Sequence, residues 1–152
     1  MEVFNFIREG NLDALESAFG QNPSLVNEKN DKGFTPLVMA TYTENEEVAK
    51  LLIKLGADVN AQDNAGNTAL MGVSFKGHIE MASLLIKNNA SINSINLNKS
   101  TALIYAATFN QKEMVELLLQ HGADKELKDN RGNTALAHAV HQDNKDIIAL
   151  LQ

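Results

Sequence analysis

The chain has 152 residues, 44% of them hydrophobic and none of them cysteine, with a formal net charge of −6. That size fits one compact domain or one short repeat array, and the apolar share excludes a disordered chain. The lack of cysteine excludes a disulfide framework and a thiolate zinc site. The acidic balance, with Lys and Arg scattered singly, argues against nucleic acid or an anionic membrane as partner.

The start, "MEVFNFIREG", has acids at Glu2 and Glu9 around a short apolar core. It is neither a signal peptide nor a membrane span, which predicts a cytoplasmic protein. Further along, "EGNLDALESAF" is similar to the later "KGHIEMASLLI", and "LVN" at Leu25–Asn27 matches "DVN" at Asp58–Asn60. Residues 1–30 therefore read as a degraded copy of the downstream sequence, able to cap it.

From residue 31 the chain repeats. The turn "GFTPL" is followed by "GNTAL", "KSTAL" and "GNTAL" again, with Thr35, Thr68, Thr101 and Thr134 each 33 residues after the last. Five residues past each Thr stand Ala40, Val73, Ala106 and Ala139; thirteen past stand Val48, Met81, Met114 and Ile147. A leucine pair then closes each unit, from Leu51-Leu52 to Leu150-Leu151.

Each unit predicts two short helices and a loop. A threonine hydroxyl caps a helix start, and Pro36 suits the first helical position. First helices are expected near Thr35–Thr43, Thr68–Lys76, Thr101–Phe109 and Thr134–Gln142, each followed by a second helix with apolar residues at helical spacing. Gly56, Asn89 and Gly122 sit where a left-handed helix end is wanted. Such a unit buries its apolar faces only by stacking on its neighbours. Three past Thr, Val38, Met71 and Ile104 give way to Ala137; eighteen past, Ile53, Ile86 and Leu119 give way to Gln152. The last unit is thereby expected to act as a cap.

These residues resemble the ankyrin repeat. "NDKGFTPLVMA", "DNAGNTALMGV" and "DNRGNTALAHA" match its turn and first helix, and "LLIKLGADVN" and "LLLQHGADKE" match its second helix and loop. The resemblance implies an all-α solenoid of stacked helix-turn-helix units with short β-hairpin fingers and a concave groove. It implies a single domain over 1–152, with an N-terminal cap repeat at 1–30, full repeats at 31–63, 64–96 and 97–129, and a C-terminal cap repeat at 130–152. The family's histidine after the Thr-Pro-Leu turn is replaced by Val38, Met71, Ile104 and Ala137. Lys99 replaces the turn glycine, so that finger is either strained or rebuilt.

No glycine-rich phosphate loop, metalloprotease helix or nucleophile elbow occurs. No catalytic residue, metal ligand or cofactor is predicted, and the chain is not read as an enzyme. His78 and His121 suit structural places at helix ends. His138 and His141 share a helix face at i, i+3, a spacing that also chelates metals, but no third ligand is evident. They read as two exposed polar residues on the groove.

Outside residues 1–30 the aromatics are Phe34, Tyr42, Phe75, Tyr105 and Phe109, all at variable positions of the repeat. Either the rings fill gaps between units, or they are the anchors of a binding face. On the second reading the face comprises Phe34, Tyr42, Phe75, Tyr105 and Phe109 with Asn67, Lys76, Arg131, His138 and His141. The function expected from the resemblance is protein–protein interaction by a chain that is a monomer when unbound. The alternative is a dedicated inhibitor, immunity or effector-type protein that blocks another protein's active site.

Overall fold

The computed structural model describes residues 2–152, which form ten α-helices in pairs. They are α1 (Glu2–Glu9) and α2 (Leu12–Gln21), α3 (Pro36–Tyr42) and α4 (Glu46–Lys54), α5 (Ala69–Lys76) and α6 (Ile79–Lys87), α7 (Ala102–Thr108) and α8 (Lys112–Gln120), and α9 (Ala135–His141) and α10 (Lys145–Leu151). A 3-10 turn at Pro23–Asn27 follows α2.

Four threonines start the first helices. The hydroxyl of Thr35 accepts from the Val38 amide, and Thr68, Thr101 and Thr134 do the same for Met71, Ile104 and Ala137. Each satisfies one of the amides that a helix start leaves unpaired. Second helices begin on side-chain caps at Asn45, His78 and Asn144, so the His78 ring has the structural role its position suggests. Gly56, Asn89 and Gly122 have φ of 95°, 71° and 88°, the left-handed ends expected after α4, α6 and α8.

The first helices lie side by side, α1 on α3, α3 on α5, α5 on α7 and α7 on α9. The second helices approach one another less closely, so the stack bends with the first helices on its inner side. Small residues allow the tight inner layer: Ala40, Ala106 and Ala139 are fully buried and Val73 nearly so. Between the layers lie Val48, Met81, Met114 and Ile147, all fully buried, with Leu52, Leu85 and Leu118. Where the family has its histidine, Met71 and Ile104 are buried in the core and Val38 packs against it, while Ala137 in the last unit is only half-buried.

The fingers between units are tight turns, and no strand forms among the described residues. One residue organises each turn. The side-chain oxygen of Asn30, Asp63, Asn96 or Asp129 accepts from the amides two and four residues ahead. Adjacent fingers then join through single backbone bonds, Asn64 to Lys32, Leu97 to Ala65 and Asn130 to Asn98. On the opposite edge Asn27, Asn60 and Asn93 each donate to a carbonyl and accept from an amide of the next loop.

Candidate functional site

The inner layer carries the aromatics at the exposed ends of its helices. Tyr42 and Phe75 close α3 and α5, and Phe109 caps α7. They are 62%, 43% and 45% exposed, too open to be gap-fillers alone. Two rings meet across units, Phe75 lying edge-on to Phe109 at 4.3 Å, and within the third unit Tyr105 is 6.5 Å from Phe109 in a stacked orientation. Phe34 is 6.3 Å from Tyr42. The Lys76 ammonium sits 4.3 Å above the Tyr42 ring and donates to the Tyr42 carbonyl at 2.6 Å. Gln111 similarly donates to the Phe75 carbonyl at 3.0 Å. Each of these bonds satisfies a helix-end carbonyl of one unit with a side chain of the next.

Between the two aromatic groups lies a cavity of about 310 Å³. Phe34, Tyr42, Phe75 and Tyr105 line it, together with Ala69 and Gly72 of α5 and with Asp63 from the finger. Three units contribute to it.

For Tyr105 and Phe34 the two readings of the rings overlap, because these two also fill space against the core. Both are half-buried and pack against it. The Tyr105 hydroxyl is 2.9 Å from Asn96 Nδ2 and 3.4 Å from Asn67 Oδ1, and Asn96 donates to Asn67 at 2.8 Å. Asn67 and Tyr105 thus tie two fingers together as well as facing the groove. The reason is the helical register: a ring four past the threonine points along its own finger, whereas rings seven or eight past it project from the helix end.

His138 is likewise not a free surface residue. Its Nε2 lies 2.8 Å from Asp129 Oδ2, and the ring is half-buried. Burial pushes the Asp129 carboxyl up, but the Asn133 amide, the His138 ring and the Arg131 amide more than offset this and hold it below the usual carboxylate range. His141 is exposed, and no group of three metal-ligating side chains gathers among the described residues. Arg131 is exposed on the fourth finger, away from the cavity lining.

Sequence reasoning missed Asp63 and Gly72. The signal was present: four past each threonine stand Met39, Gly72, Tyr105 and His138, and only the glycine has no side chain. It also missed Ile95 and Leu97, which expose 46% and 75% of their surface on the third finger.

No helix among the described residues is long and apolar enough to cross a membrane. A search of curated proteins returned no significant match. A family model described as ankyrin repeats (3 copies) matches residues 4–96 and 76–152. With the 33-residue period, the threonine-capped helix pairs and the linked fingers, that match establishes that the chain belongs to the ankyrin-repeat family.

Proposed function

We propose that this protein is a non-enzymatic binding module that holds another protein in its inner groove, with Tyr42, Phe75 and Phe109 as the anchors. Ankyrin repeats are protein–protein interaction modules in general. The observation that carries the reading for this chain is the aromatic surface: Tyr42, Phe75 and Tyr105, from three consecutive units, line one cavity on the inner face, and the exposed Phe109 packs edge-on to Phe75 beside it. Aromatic side chains at the centre of a patch, shielded by neighbours, are where interface energy concentrates. Tyr105 and Asn67 serve the same face from a fixed position, because their hydrogen bonds hold them before any partner arrives.

The test is partner capture from the native cell, quantified for variants. Phe75→Ala with Phe109→Ala removes two rings that make no hydrogen bond through their side chains, so the fold should survive. Partner affinity is expected to fall about thirtyfold or more, since truncating such anchors costs ~2 kcal/mol or more. Lys87→Ala, exposed on the outer helix α6, is the control and should change nothing. A folded double variant that binds normally while Lys87→Ala does not would move the binding face to the outer layer.

A further inference from the structure

We infer that the cavity over Gly72 receives an arginine side chain of the protein partner, whose guanidinium donates to Oδ2 of Asp63; this rests on the inner groove being the binding face. Each finger-organising residue has a counterpart nine positions later in the first helix: Asn30 and Met39, Asp63 and Gly72, Asn96 and Tyr105, Asp129 and His138. In every unit one side-chain oxygen of the first residue holds the turn. The second polar atom is available to the helix. In the fourth unit His138 meets Asp129 Oδ2 at 2.8 Å, and in the third the Tyr105 hydroxyl meets Asn96 Nδ2 at 2.9 Å. In the second, Asp63 Oδ1 accepts from the Ala65 and Asn67 amides, but among the described residues no group bonds Oδ2. The counterpart position holds glycine, and both residues line the cavity.

Backbone geometry does not demand that glycine. Gly72 lies inside α5 without a positive φ, and a Cβ added there would meet nothing within 4 Å. Glycine weakens a helix interior, so the position costs stability and leaves open space beside a carboxylate. Because Asp129 is met by a planar N–H donor in the equivalent place, a donor from outside fits at Asp63. A guanidinium supplies that planar N–H edge and stacks well on aromatic rings such as those of Phe75 and Tyr105. An ammonium is the poorer match, because it presents no planar N–H edge; the cation already lining the cavity, Lys76, is held on the Tyr42 ring and carbonyl. A cavity of about 310 Å³ is at the small end of ligand sites, the scale of one inserted side chain.

The probe is N-acetyl-arginine methylamide, titrated against the isotope-labelled full chain and read by amide chemical shifts, with the lysine and leucine analogues alongside. The arginine probe should shift Gly72 and Phe75 saturably, with affinity on the order of millimolar as befits a fragment, and should bind more tightly than either analogue. Asp63→Asn should weaken it at least tenfold while keeping the finger, since Asn30 and Asn96 organise the same turn with an amide oxygen. Gly72→His should abolish binding by filling the space as His138 does, and should raise the unfolding midpoint. Equal shifts with the leucine analogue, tighter binding of the lysine analogue, indifference to Asp63→Asn, or no saturable shift at all would each overturn the inference. With a captured partner, retention by Asp63→Asn but release by Phe75→Ala with Phe109→Ala sinks the arginine inference and leaves the groove standing. Retention by both variants removes the groove itself.

Discussion

Lys99 holds φ +57°, the conformation that Gly33, Gly66 and Gly132 hold in the other fingers. Its finger is closed by the same bonds, Asn96 to the Ser100 carbonyl and Lys99 to the Asn96 carbonyl. The loop has not been rebuilt, so a residue with a Cβ occupies a glycine conformation at a cost of roughly 1 kcal/mol. Lys99→Gly is expected to raise the melting temperature by about 2–4 °C for a domain of this size, as followed by circular dichroism; an unchanged or lower value contradicts the strain. The reverse change is not uniform. A Cβ at Gly33 would lie 2.7 Å from the Asn64 amide nitrogen, whereas at Gly132 it would meet nothing within 4 Å. Gly33→Ala should therefore destabilise more than Gly132→Ala. Asp129 offers a pH signature. Its carboxyl is depressed in the folded chain, so its stabilisation is present above the unfolded value, about 3.9, and is lost as pH falls through the lower folded value. Asp129→Asn keeps an oxygen for the turn. The stability gap between wild type and this variant should be widest near neutral pH and close below about pH 4, as measured by urea unfolding. A gap that persists at pH 2 would mean the carboxylate charge is not its source.

At the scale of helices and loops, the caps and the asparagine ladder set the strength of each joint. Thr101→Ala leaves the Ile104 amide without its partner at a buried helix start and should cost about 1 kcal/mol, with Thr101→Ser recovering most of it. Asn60→Ala removes a bond to the Asn89 carbonyl and another from the Ser91 amide, both between units. Two modest hydrogen bonds set the expected loss at about 1–2 kcal/mol; an effect near zero would show that water replaces the ladder freely. The helices themselves were legible in the sequence, because a threonine, a small residue and a leucine pair at fixed spacing leave little choice of register. So were the left-handed ends at Gly56, Asn89 and Gly122. Less visible were Glu44, Asn110 and Asp143, at φ of 59°, 60° and 51° between first and second helices. Asn110 and Asp143 are types that tolerate this conformation, but Glu44 does not announce a turn that Gly10 and Gly77 fill elsewhere. The candidate site was half legible. Aromatic residue types marked the face, but which rings are tethered depends on contacts between units, and neither the Asp129–His138 pair nor its missing equivalent at Asp63 shows in a single unit's pattern.

Across the whole molecule, each unit touches only its neighbours, so stability is a sum over joints and should be greatest where a helix has a neighbour on both sides. Amide exchange is accordingly expected to be slowest in α5 and α7 and fastest in α1 and α10, and uniform protection along the stack would speak against that additive picture. The spacing of the joints has a further effect. Every side-chain hydrogen bond between units links residues 27 to 38 apart, from Lys125–Gln152 to Asn67–Tyr105. This separation is set by the repeat and does not grow with the length of the stack, so the loop-closure cost of each joint stays bounded. A chain growing from the ribosome meets its partners for each new helix pair in the pair just completed. It can therefore settle one unit at a time during synthesis, never holding more than about one unit of unburied leucines in wait for a distant segment.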